Sequence, residues 1–291
     1  MKIQTFSILA GSEACNARCP FCVSKMTPPL GMEPKEPEVN WRNFEIACRL
    51  AKQSGVTTAM FTGKGEPTLF PNQINKYLEA MARFEFPLVE LQTNGILIAE
   101  KPDVYSRYLE NWWSKGMTTI AISIVHYDSE KNRQIYVPYR KSYIDLSKLI
   151  DLIHRRGFSV RLTCIACNGF IDSVAKLNGL VDFAKTNKVE QLTLTPVNKP
   201  ESSRNQKAYN WTKTRHLTDE QRNALTHYLQ TDGAKLMTLV HGAVVYDLHG
   251  QNLCWNNCLS VQPEAEEMRN LIFFPDGHLR YYWQYPGATL L

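Results

Sequence analysis

From its amino terminus to about Pro196 the chain repeats one grammar: a short β-branched or apolar run, then a longer stretch with helical periodicity. Such succession predicts βαβ units and a parallel sheet, because parallel neighbours need a crossover and a helix is the usual one. Six strands are expected, over Thr5–Leu9, Thr57–Thr62, Leu88–Thr93, Thr118–Ile124, Ser159–Ala166 and Gln191–Pro196. The helical segments Trp41–Ser54, Pro102–Lys115 and Tyr143–Arg156 each stop at a glycine (Gly55, Gly116 and Gly157), the residue that best adopts the left-handed turn closing a helix. Six units fall short of an eight-fold barrel, which typically needs about 250 residues. The expected fold is therefore α/β: a partial (β/α)6 barrel of parallel strands over residues 1–197, with a small carboxy-terminal helix-plus-hairpin extension.

After Pro196 the pattern changes. Residues 198–217 are polar and basic and read as a linker or a substrate-side loop. In the extension, 218–291, a helix over Thr218–Thr231 is capped by Thr218 with Glu220 in its first turn, and LIFFPDGHLRYYW folds back at Asp276–Gly277 as a hairpin. With 44% hydrophobic and 21% charged residues, the chain belongs among packed proteins rather than disordered ones. The first apolar run is followed by Glu13 and a cysteine cluster where a signal peptide would need small residues, and no apolar stretch approaches the roughly 20 residues of a membrane helix. A cytoplasmic location is expected, where the eight cysteines stay reduced and available to metal. The formal charge of +5 implies at most a mild preference for acidic partners.

The densest chemistry is CNARCPFC, in which Cys15, Cys19 and Cys22 share a short loop after the first strand. Three thiolates so spaced suit one iron–sulfur cubane with an iron left open. A structural zinc site would ordinarily need a fourth ligand, and no cysteine or histidine stands nearby. Ligands on βα loops also lie where parallel sheets place active sites.

This segment resembles the radical S-adenosylmethionine superfamily, whose Cys-x3-Cys-x2-Cys carries an aromatic before its last cysteine, here Phe21. The resemblance runs from about Ile3 to Pro196. Gly63-Lys64-Gly65-Glu66-Pro67 is similar to the family's Gly-Gly-Glu-Pro, which meets the cofactor's amino group, although Lys64 interrupts the glycine pair. Thr93-Asn94-Gly95 matches a further family motif at the end of the third strand, Ser123 a polar residue near the methionine or ribose, and Arg161 a basic residue near the cofactor carboxylate. Outside the resemblance, each of these is an ordinary turn or strand residue. The resemblance implies a [4Fe–4S] cluster on Cys15, Cys19 and Cys22, and S-adenosylmethionine contacted by Gly63, Gly65, Glu66, Asn94, Ser123 and Arg161. It also implies a reductant such as a flavodoxin or ferredoxin, and a 5′-deoxyadenosyl radical that abstracts hydrogen from a substrate.

Cys254-x3-Cys258 before the hairpin resembles the auxiliary-cluster (SPASM or twitch) extensions of molybdenum-cofactor GTP cyclase-type enzymes and peptide-modifying maturases. In those relatives a further cysteine follows the hairpin, whereas none follows Cys258 here. A second metal or cluster would need a ligand from elsewhere, such as Cys167; Cys164, Cys167 and Cys48 otherwise read as packing residues. The aromatic tail Tyr281, Tyr282, Trp283 and Tyr285 is expected to pack in the hairpin, with a base or substrate as the alternative partner. A small molecule or nucleotide is the expected substrate. The alternatives are a peptide, a non-catalytic metal module contacting nucleic acid through the basic segment, and a family member that keeps its cluster for stability alone.

Overall fold

The computed structural model describes residues 2–27, 34–197, 205–256, 267–283, 285 and 287–291. Strands β1 (Lys2–Leu9), β2 (Thr58–Thr62), β3 (Leu88–Thr93), β4 (Thr119–Ile124), β5 (Ser159–Ala166) and β6 (Gln191–Pro196) are adjacent in that order and parallel throughout. Beyond β6 the sheet continues through β9 (Gln251–Trp255), parallel to β6, and then β8 (Val244–Leu248) and β7 (Ala234–Thr238), both antiparallel to their neighbours. At the other end β10 (Glu267–Phe273) lies parallel beside β1, followed by β11 (Leu279–Arg280), antiparallel. Among the described residues the result is one open eleven-stranded sheet, a partial barrel rather than a closed one.

The crossovers are α1 (Val23–Met26) and α2 (Trp41–Gln53), α3 (Pro71–Met81), α4 (Ile96–Glu100) and α5 (Pro102–Ser114), α6 (Ser129–Tyr136) and α7 (Leu146–His154), and α8 (Val174–Thr186). Then come α9 (Gln206–Arg215) and α10 (Asp219–Asp232). Side chains cap many of them: Asp128, Asp145 and Ser173 each accept from the backbone amide three residues on, and Thr218 and Gln221 form a capping box. The expected hairpin and the helix after Thr218 are both present. Residues 206–215, expected within a linker, instead form α9, whose capping Asn205 and buried Ala208 and Thr212 seat it.

The period-two alternation of the strands separates two faces. Phe6, Ala59, Phe61, Leu91, Ile122, Leu162 and Leu192 are fully buried in the main hydrophobic core. The opposite face of β3–β6 is polar and partly open: Gln92, Ala121, Arg161 and Gln191 align in one row, and Ser123, Thr163, Thr193 and Cys254 in the next row toward the carboxyl ends. Near β1 and β10 this open face turns apolar, with Leu9, Ile272 and Phe274 buried beneath Trp283, whose ring lies 6.1 Å from that of Phe274. Trp283 of the aromatic tail thus packs on the hairpin it follows, whereas Tyr285 is exposed.

Candidate functional site

The loop after β1 is fixed from three sides. Ala10 donates its amide to Thr62 at 2.8 Å and Gly11 donates to the Gln73 side chain at 2.6 Å, which binds the loop's start to β2 and α3. The loop after β2 lies flat against it: Glu66 donates its amide to the Ala14 carbonyl at 2.9 Å, and a Cβ added at Gly65 would collide with that carbonyl. Only glycine permits this approach. On the third side the segment between α6 and α7 leans on the loop, with the Arg18 amide donating to the Tyr136 carbonyl at 2.8 Å and the Tyr139 hydroxyl to the Asn16 carbonyl at 2.9 Å. The Arg18 guanidinium stacks 4.8 Å above the Tyr139 ring.

Within this frame Cys15 is exposed, and Cys19 and Cys22 are partly so. The amide of Ala17 donates to the Cys15 sulfur at 3.4 Å. Although the residue keeps an exposed surface, desolvation by the surrounding loops pushes the Cys15 thiol up to about 11, with the charges of Glu66 and Cys22 adding to the effect. Cys19 is raised further, first by burial and then by Cys22 and Cys15. Cys15 and Cys19 thus resist ionisation on their own, and cationic iron bound there would compensate their thiolates. Among the described residues no three ligands converge on a single ion. A cubane, whose cysteines bind three separate irons, needs no such convergence.

Glu66 is buried, and its carboxylate ties two strand ends together. Oε1 accepts from the Thr68 amide at 3.0 Å, the Thr68 hydroxyl at 2.7 Å and the Thr93 hydroxyl at 2.6 Å, while Oε2 accepts from the Asn94 amide at 2.9 Å. Burial raises its carboxyl above the usual range, and these donors pull the other way. Sequence reasoning aimed this group at an ammonium; in the fold it first organises its own loop, and Oε2 retains accepting capacity. Asn94 in turn donates to the Asn16 side chain at 2.7 Å, linking the third strand's end to the cysteine loop. Lys64, which breaks the glycine pair, is 6% exposed; burial depresses its amine and the Glu13 carboxylate opposes that.

Ser123 and Arg161 lie on the open polar face in successive rows. Arg161 pairs with buried Glu90 at 2.8 Å and donates through Nε to Gln191 at 2.8 Å, one row deeper in the sheet than Ser123. Burial raises the Glu90 carboxyl and the Arg161 charge counters it. The Phe21 ring lies tilted at 5.5 Å from that of Trp211 on α9, so this helix packs against the aromatic that precedes Cys22. Cys254 is on β9 in the row of Thr193, whereas Cys258 is outside the described residues. Cys164 and Cys167 are buried in the main core, as is Cys48 on α2.

The family model of the radical SAM superfamily matches residues 10–184, from the cysteine loop through β2–β5 to α8. The chain belongs to the radical SAM superfamily. Membership implies a [4Fe–4S] cluster and S-adenosylmethionine as cofactors. No curated protein matches the chain in sequence. Its fold is similar to that of native anSMEcpe with bound AdoMet, at a TM-score of 0.58 and 14% identity over 98% of this chain and 75% of that one. It is also similar to methylornithine synthase (PylB), at 0.51 and 14% over 79% and 63%. A radical SAM methyltransferase from Sphaerobacter thermophilus matches at 0.50 and 16%, over 77% and 63%. The chain thus spans under two thirds of the last two, and of a second anSMEcpe structure, of which it covers 58%. Identities this low speak for the fold alone. Among the described residues no helix is long and apolar enough to cross a membrane.

The residues of this radical SAM site fit its cofactors in chemistry. The Cys15 and Cys19 thiols are ones a cation would compensate, and the hydroxyls of Tyr136 and Tyr143 and the Asn16 amide nitrogen are buried without partners. Sequence reasoning missed Asn16, Thr68, Tyr136, Tyr139 and Tyr143. The run YVPYRKSY between two helical segments was the available signal for the tyrosines.

Proposed function

We propose that this radical SAM enzyme acts on a small polar molecule received on the open face of β3–β6. In this reading Cys15, Cys19 and Cys22 hold the [4Fe–4S] cluster, and Gly63, Gly65, Glu66, Asn94 and Ser123 receive S-adenosylmethionine. A one-electron donor such as a flavodoxin or ferredoxin serves it. Held there, the cluster would supply one-electron reductive cleavage of S-adenosylmethionine, the source of a radical for hydrogen abstraction from the substrate.

The observation that carries the substrate class is the composition of that face. Gln92, Ser123, Thr163 and Thr193 offer hydroxyl and amide groups, and Arg161 stands among them fixed by Glu90 and Gln191. A pre-oriented guanidinium with hydroxyls one row above suits a ligand that carries hydroxyls and an anionic group. Arg161, expected to meet the cofactor carboxylate, is available in this arrangement to either anion.

The test is anaerobic reconstitution with iron and sulfide, followed by dithionite-dependent formation of 5′-deoxyadenosine in the parent and in a variant with Cys15, Cys19 and Cys22 replaced by Ala. Product in the parent alone supports the ligand set. Stimulation by a small-molecule fraction of cell extract, lost in Arg161→Gln, supports the substrate class; stimulation by a peptide fraction instead overturns it.

A further inference from the structure

We infer that Tyr136 and Tyr143 donate their buried hydroxyls to the sulfur atoms of the cluster on its Cys19 side, tuning its reduction potential. The inference rests on the assignment of Cys15, Cys19 and Cys22 as cluster ligands and concerns two residues that assignment does not include.

Tyr136 ends α6, and Tyr143 stands three residues before α7. The segment joining them is the one that grips the cysteine loop through the Arg18–Tyr136 and Asn16–Tyr139 hydrogen bonds. Their rings lie 6.1 Å apart at 31°, so the two form a pair against the loop. Tyr136 is 2% exposed, and neither hydroxyl has a hydrogen-bond partner among the described residues. Two other buried tyrosines are served differently: Tyr77 donates to the Leu9 carbonyl at 3.3 Å and Tyr105 to that of Thr68 at 2.6 Å. An orphaned hydroxyl is costly and uncommon in a folded interior, and two side by side call for an acceptor.

The cysteine loop offers that acceptor: the Arg18 amide, next to Cys19, is bonded to the Tyr136 carbonyl at 2.8 Å, and Cys19 and Tyr143 both pack, partly buried, against the core that holds Tyr136. A thiol is a weak acceptor, but a thiolate or sulfide of an iron–sulfur cluster carries negative charge and accepts strongly. A phenol is ordinarily protonated at neutral pH, so both hydroxyls act as donors. Hydrogen bonds to cluster sulfur stabilise the more negative, reduced state and raise the potential.

The experiment compares the reconstituted holoenzyme with Tyr136→Phe, Tyr143→Phe and the double variant. After iron and sulfide are counted, the cluster's midpoint potential is measured by EPR-monitored titration. Exchangeable-proton couplings of the reduced cluster are read by ENDOR in H2O and D2O. The expected result is a shift to more negative potential in each single variant, larger in the double, with a proton coupling lost in parallel. Thermal stability of the cluster-free protein should hold or rise, because each substitution removes an orphaned group. A full cluster whose potential and couplings ignore both substitutions overturns this inference alone; a parent that assembles no cluster overturns the ligand assignment and this inference with it.

Discussion

Gly65 shows how one atom decides this site. Its backbone faces the Ala14 carbonyl so closely that a Cβ has nowhere to go, and the obstacle is main chain rather than a side chain able to rotate away. Gly65→Ala must separate the two loops or distort one, and overpacking of this kind typically costs about 1–3 kcal/mol. The separation would also strain the bond from the Glu66 amide to Ala14, and with it the seat of Cys15. The expected outcome is a protein that folds with a lower melting temperature and retains well under half of the parent's cluster iron after reconstitution; full iron content would show that the loops need not touch. This residue was legible in the sequence because the glycine-rich segment and the cysteine trio are each short and local. The Glu66 bonds to Thr93 and Asn94, and the tyrosine grip on Asn16 and Arg18, join residues 27 to 123 positions apart. No local spacing encodes such contacts.

Elements were legible to the degree that their signal was local. The strands expected at Leu88–Thr93, Ser159–Ala166 and Gln191–Pro196 agree with β3, β5 and β6 at both ends, since in each a clear run is bounded by turn residues. By contrast β7 is exposed along its whole length and carries no burial pattern to read, and α9 has a weak apolar stripe hidden in a basic run. The β7–β8 hairpin also carries a pH dependence. His241 in its turn has a partly buried ring whose Nδ1 lacks a partner; burial, with Arg269 nearby, lowers it to about 4 from an ordinary 6.5. The folded chain then holds fewer protons than the unfolded one between these values. The stability that neutral His241 contributes is full above pH 6.5 and is lost as pH falls toward 4. His241→Gln should therefore flatten the acid side of the stability curve in that window, measured by urea unfolding at stepped pH. An unchanged slope would mean that the ring is hydrated in the fold.

At the scale of the whole molecule, the feature hardest to foresee is that the chain's late strand returns to its first. β10 pairs in parallel with β1, which has β2 on its other side, so the cysteine loop leaves from a strand held on both edges. Nothing in a linear pattern announces a pairing across some 265 residues. Its energetic trace is Phe273, fully buried against Phe44 at 5.1 Å and Tyr77 at 6.3 Å, in the same aromatic cluster that packs α2 and α3 under the sheet. If β10 is part of one cooperative structure with the cysteine-bearing half, Phe273→Ala should cost the whole molecule about 3–5 kcal/mol, the usual range for an aromatic core truncation. Phe61→Ala, in the heart of β2, should cost a similar amount. Both variants should unfold in one transition followed equally by far-ultraviolet circular dichroism and by the absorbance of the reconstituted cluster. Should Phe273→Ala instead release a separate early transition that leaves the cluster absorbance intact, β10 would be an independent flap, and the support of β1 would have to come from β2 alone.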